Sequence, residues 1–223
     1  MSVGGVLFSE MTPDPEWEAE FHEWYDEEHI PIRMKAPGFI GAQRYTRLDG
    51  PGFLAVYDLE SPATLDTPEY GVIKNQPSER TARMLRDVKG FTRYIGKLLS
   101  WQAREGVSDL DMLKSDVLYP VFFTVPEDRR DDFNAWYTED HVPLLLNEPM
   151  WLGCRRYEIV SGGPGNFTHL ALHHLSDRAA LESPHREAAR TTEWRDRLAA
   201  EDWFKGTYML FSGRGDRFVG NQG

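Results

Sequence analysis

The chain has 223 residues, 40% of them apolar and 13% aromatic, which is ample for a packed core and excludes a disordered polymer. Its formal charge of −11 argues against a nucleic acid or an anionic membrane as partner, because phosphate binding needs a basic face. A single cysteine, Cys154, allows neither an internal disulfide nor a zinc–thiolate cluster; no run reaches membrane-span length and no basic-then-apolar leader opens the chain, so a cytoplasmic protein is expected.

Residues 3–9 are a short apolar run that predicts a first strand. Thr12-Pro13-Asp14-Pro15-Glu16 is a helix start, with Asp14 as N-cap and Pro15 at the first helical position. On a 3.6-residue period Trp17, Phe21, Trp24, Tyr25 and Ile32 share a face, and the helix should fail between Pro31 and Pro37. Residues 39–47 and 53–59 predict a hairpin around Gly50-Pro51-Gly52. A second helix opens at Ser61-Pro62, is interrupted at Pro68 and resumes toward Leu85, and a strand follows over 91–101. Residues 103–116, polar and acidic, predict a linker.

The order then recurs. Strands are expected at 118–125, 151–160, 167–175 and 207–212, with helices over 126–147 and 177–200, the latter interrupted at Pro184 as the earlier one is at Pro68. β-α-β-β-α-β is the ferredoxin-like arrangement. The expected fold class is therefore α+β: a first repeat over 1–102, the linker over 103–116, a second repeat over 117–213 and a mobile Gly-rich tail over 214–223.

The recurrence is also one of residues. Trp24-Tyr25-Asp26-Glu27-Glu28-His29-Ile30-Pro31 returns 112 positions later as Trp136-Tyr137-Thr138-Glu139-Asp140-His141-Val142-Pro143, and a gap-free alignment of 21–45 with 133–157 has ten identities in 25. Chance would supply about one or two. This points to an internal duplication.

Trp-Tyr-x-x-Glu/Asp-His-x-Pro, followed by Pro37-Gly38-Phe39 and Arg44-Tyr45, resembles the dimeric α+β-barrel superfamily, and within it the EthD-like group. The resemblance implies two ferredoxin-like sheets packed into a barrel-like core, here supplied by one chain. Members include cofactor-free monooxygenases, muconolactone-type isomerases, polyketide cyclases and haem enzymes, so it implies shape more firmly than chemistry. The second copy departs from the pattern at Pro149-Met150-Trp151.

At 100° per residue Glu28 and Asp140 fall within apolar stripes, where a carboxylate needs a partner; Arg44 and Arg156, at matching positions on the next strand, are the expected partners in structural ion pairs and otherwise candidates for substrate binding. His29 and His141 are either helix-end histidines bonding free carbonyls or general acid/bases at a pocket mouth. On the strand over 167–175, alternation places His169, Ala171 and His173 on one face and Leu170, Leu172 and His174 on the other. With the leucines beneath the helices, His169 and His173 would face the barrel interior, Tyr57 matching His173. Substrate would meet Tyr57, Trp24 and Trp136. No metal is expected, since histidines four apart on a strand stand about 13 Å apart, too far for one ion.

The expected function is a cofactor-independent lyase or isomerase, using histidine acid/base chemistry on a small aromatic or polyketide-like metabolite. His173 and His169 lead the candidates. The alternatives are a cofactor-free monooxygenase of a phenolic substrate and a non-catalytic small-molecule binder. The partner is thus a small molecule, with room for a homo-oligomer of the fused pair.

Overall fold

The computed structural model describes residues 2–220. The chain forms two compact units: one of residues up to 97, 160–164 and from 214 onward, the other of 98–159 and 165–213. No helix among the described residues is long and apolar enough to cross a membrane.

In the first unit β1 (Gly5–Met11) is paired on one side with β3 (Phe53–Leu59) and on the other with the start of β4 (Arg93–Ala103), and β2 (Phe39–Arg47) pairs with β3, all antiparallel. The order is β4-β1-β3-β2. Helices α1 (Glu18–Trp24), α2 (Ile30–Met34), α3 (Pro68–Asn75) and α4 (Glu79–Asp87) connect these strands. Phe21 and Trp24 of α1 are fully buried, each burial contributing about 1.5–3 kcal/mol. The expected break at Pro68 is the start of α3, with Thr67 accepting from the Tyr70 N–H as N-cap.

The second unit repeats the plan with β5 (Val117–Phe123), β6 (Trp151–Gly163), β7 (His169–Leu175) and the first residues of β9 (Phe211–Val219). β5 lies between β7 and β9, and β6 pairs with β7. Its helices are α6 (Arg130–Trp136), α7 (Val142–Leu145), α8 (Pro184–Ala188) and α9 (Glu193–Ala199), and a two-residue strand β8 (Thr207–Tyr208) adds to β5. Each sheet bulges at a glycine, Gly41 or Gly153. A side chain there would collide with Arg217 and the Phe218 carbonyl in one unit, and with Met112 in the other.

Two expectations about boundaries are corrected. Residues 103–116 are not a bare connector: β4 runs on to Ala103, and α5 (Asp109–Leu113) buries Met112 completely. The expected tail is strand, with β9 extending to Val219; residues 221–223 lie outside the described residues. Arg217 pairs with the fully buried Asp58, and the Gln43 side chain donates to the carbonyls of Arg214 and Gly215. A glycine-rich composition does not loosen a backbone whose polar groups are satisfied this way.

Candidate functional site

The repeated motif builds the same device in each unit. α1 passes into a π-turn, Tyr25–His29, before α2, and α6 passes into another, Tyr137–His141, before α7. The N–H of Ile30 reaches back five residues to the Tyr25 carbonyl, and that of Val142 to Tyr137. The next residue is proline, which has no N–H to continue the ladder, so the wide turn falls where a regular one must fail. One extra residue per turn shifts everything after it off the 100° wheel.

The ion-pair expectation is corrected for that reason. Glu28 and Asp140 are only half-buried, and among the described residues neither pairs with an arginine. Glu28 accepts from the hydroxyls of Ser78 and Thr81 (2.8 Å for Thr81), and Asp140 from the Thr192 hydroxyl at 2.7 Å, so each acid ties the motif to a helix N-terminus, that of α4 or of α9. Arg44 bonds Asp26 at 2.7 Å and Nδ1 of His22, while Arg156 bonds Asn134 Oδ1 and Thr138 Oγ1 at 2.6 and 3.0 Å. Each guanidinium lies over the motif tyrosine, 4.6 Å from the Tyr25 ring centre and 4.3 Å from that of Tyr137. Neither is among the residues that line the two cavities described below. Trp24 is also core: fully buried, its indole N–H donates to the Thr81 hydroxyl, whereas Trp136 does line the second-unit cavity.

The faces of β7 are the reverse of those expected. His169 and His173 lie beneath the motif helix, His169 against Phe133 and His173 against Tyr137. His174, on the leucine side, is fully buried and bonds the Ser115 hydroxyl and Nε of Arg155. Aromatic rings on the helix offer edges and hydroxyls to imidazoles, and the leucines take the other face.

His173 is fully engaged. Its Nδ1 accepts the indole N–H of Trp151 at 3.2 Å, which places the proton on Nε2, 2.9 Å from the Tyr137 hydroxyl. The Nδ1 of His169 lies 2.9 Å from the Thr168 hydroxyl, and that of His141 donates to the Ala189 carbonyl at 3.0 Å. Burial holds all three imidazoles neutral, with pKa well below the usual range for His173, about 3 for His169 and about 4 for His141. The adjoining cavity, against Tyr119, Trp136, Trp151 and Tyr208, has a volume of only about 50 Å³, room for a few waters.

The first unit differs. A cavity of about 330 Å³ opens among Leu7, Met11, Tyr25, His29, Tyr57 and Tyr70, within the range that holds small ligands. His29 is 4% exposed, its ring 4.2 Å from that of Trp24, and its Nδ1 has no protein partner. Burial, then the charges of Arg33 and Arg44, push its pKa well down. The Tyr57 hydroxyl is likewise buried and has no partner in good hydrogen-bond geometry: the neighbouring Tyr25 hydroxyl, near enough for each to influence the other's ionisation, is turned to the Met11 sulfur; burial keeps Tyr57 protonated. The sequence did not single out Arg33, Tyr70, Lys74 or Arg93, which line the same cavity. The one available signal was a break in the repeat, Arg33 against Leu145. Among the described residues no group of three or more His, Cys, Asp or Glu side chains is placed to hold a metal ion. Cys154 is packed, its thiol pKa pushed up to about 12 by burial.

No family model and no curated protein matches the chain. Solved structures match it nearly end to end. An anthrone oxidase-like protein superposes with TM-score 0.72 at 12% identity, over 99% of this chain and 95% of that one. A candidate monooxygenase from Fusobacterium nucleatum subsp. nucleatum gives 0.64 at 10% identity, over 98% and 96%. A candidate chlorite dismutase gives 0.60 at 15% identity, over 95% and 96%. Likeness at these identities carries the α+β fold, that of the dimeric α+β-barrel proteins, and not the chemistry.

Proposed function

We propose that the chain is a cofactor-independent enzyme of small-molecule chemistry, with its site in the first-unit cavity and His29 as general base. One observation carries this: a ligand-sized cavity is lined by His29 and Tyr57, each holding a buried polar atom that the protein leaves without a partner. Most buried polar groups in proteins are satisfied, and here two unsatisfied ones face a single ligand-sized cavity, where a ligand can supply the missing bonds. A neutral imidazole removes a proton from a phenol or from carbon beside a carbonyl, and the protonated Tyr57 hydroxyl donates to the oxyanion that forms. Returning the proton to another carbon is isomerisation; expelling a leaving group is a lyase reaction. The ten matches in 25 positions support descent by tandem duplication of an EthD-like unit, the second copy serving as a packed scaffold.

A second reading, a cofactor-free monooxygenase, draws support from the names of the matched structures, anthrone oxidase-like and monooxygenase. The same base would form an enolate that reduces O2, a methylene and O2 giving a carbonyl and water.

Anthrone in deuterated buffer separates these readings. Under nitrogen, the wild type should accelerate exchange of the ring methylene protons, followed by NMR, and His29→Gln should not. In air, oxygen uptake matched by anthraquinone supports the monooxygenase, and exchange without uptake the isomerase or lyase. A binder would retain ligand and do neither. No acceleration with anthrone or with a set of other enolisable phenols counts against base catalysis.

A further inference from the structure

The first-unit cavity holds a positive charge that no acid among the described residues answers. Arg33, on α2, is 8% exposed, and its Nη1 donates to the His29 carbonyl at 2.6 Å. Among the described residues it makes no ion pair with a carboxylate. Arg93, half-buried on β4, and Lys74, exposed on α3, line the same space, and they too are without an ion-pair partner there. No Asp or Glu lines the cavity, in a protein with 36 acidic residues against 25 lysines and arginines. Elsewhere Arg217 has the buried Asp58 and Arg44 has Asp26, and the buried Arg156, which has no carboxylate, is met by the side chains of Asn134 and Thr138; among the described residues Arg33 has only the His29 carbonyl. A buried guanidinium without a counter-ion is costly and is retained where something else supplies the anion.

The second unit is the internal comparison. Its cavity keeps cations in its lining, Arg186, Arg190 and Arg195, with Arg190 standing 116 residues after Lys74 as His173 does after Tyr57; but Leu145 stands where the buried Arg33 does, and the cavity there is about 50 Å³. The buried arginine and the larger cavity occur together in the first unit, and at the matching place in the second both are missing.

We infer that the first-unit cavity binds a flat aromatic carboxylate, its carboxylate on Arg33 and its ring among Tyr25, Tyr57, Tyr70 and Phe91. The planar guanidinium fork matches a carboxylate in two parallel hydrogen bonds, and the aromatic walls suit a flat apolar body. Lys74 and Arg93 draw the anion to the mouth of a protein that otherwise repels anions. The inference rests on the cavity being the ligand site, but not on His29 acting as a base.

The test is calorimetric titration with benzoate, 2-naphthoate and 2-anthroate, each against its neutral amide. In the wild type at least one carboxylate should bind about tenfold or more tightly than its amide. Arg33→Gln should abolish that preference, Arg33→Lys restore part of it, and His29→Gln leave it in place whatever it does to turnover. Equal binding of acid and amide overturns the inference, as does an unchanged preference in a folded Arg33→Gln, or failure of every carboxylate to bind. The wild-type comparison of acid with amide stands even where a variant does not fold. Loss of turnover in His29→Gln with the preference intact separates the two proposals.

Discussion

Tyr57 and His173 hold the same place in their two sheets, Tyr57 opposite Leu7 and Ala42, His173 opposite Tyr119 and Cys154, and they have opposite hydrogen-bond states. The hydroxyl of Tyr57 has no partner in good hydrogen-bond geometry, while both ring nitrogens of His173 are taken. The same scaffold position is left open in one unit and closed in the other.

Removing the Tyr57 hydroxyl should therefore not destabilise the protein. A buried hydroxyl without a partner costs about 1–3 kcal/mol on mutational scales, so Tyr57→Phe should melt at or above the wild-type temperature. Turnover should fall if that hydroxyl steadies an oxyanion. Urea unfolding and a rate assay on one preparation check both halves.

Histidine substitutions should divide by unit. His29→Gln should lower turnover by roughly 10²–10⁴-fold with an unchanged far-UV spectrum. His173→Ala should act on stability, because it strands the indole N–H of Trp151 and the hydroxyl of Tyr137 in the core, at about 1–3 kcal/mol for each group left unsatisfied. A His173→Ala protein of wild-type stability would contradict this.

Thr81 joins two groups, accepting the Trp24 indole N–H at 2.9 Å and donating to Glu28. Thr81→Val should leave a fully buried indole N–H without a partner, a loss of about 1–3 kcal/mol by urea unfolding. In the second unit the Trp136 N–H has no partner to begin with, so Thr192→Val strands no indole there; it removes the bond to Asp140 and the N-cap bond from the Arg195 N–H, a loss of about 0.5–2 kcal/mol.

The buried imidazoles set a pH dependence of one sign. His141 and His169 have folded pKa values of about 4 and 3 against 6.5 when exposed, and those of His29 and His173 are also depressed. Between the two values the unfolded chain binds more protons, so stability is full above pH 6.5 and is lost as pH falls toward 4. Melting temperature should drop across that window. A folded His169→Asn variant should drop less steeply, and an equal slope would remove His169 from the account.

The order of elements was legible because proline, glycine and apolar periodicity report local geometry, and the repeat reports it twice. The side-chain placements at Glu28 and Asp140 were not, since a wheel of fixed pitch has no room for the π-turn before Pro31 and Pro143. Alternation separated the two faces of β7 correctly; choosing the helix-covered face by hydrophobicity failed because both faces are buried and Tyr137 and Trp151 give His173 its hydrogen bonds. Cavity volume is a sum over many contacts, so no stretch of sequence marks the difference between Arg33 and Leu145 as the difference between an open and a filled pocket.

β4 and β9 each begin in one unit and end in the other, so neither unit corresponds to one stretch of the gene. A nonsense codon anywhere in residues 103–116 would leave β2 without β9 beside it, an unpaired edge of the kind that recruits other chains. The sheet that carries the first unit's cavity is thus completed only when the last strand of the chain has been made.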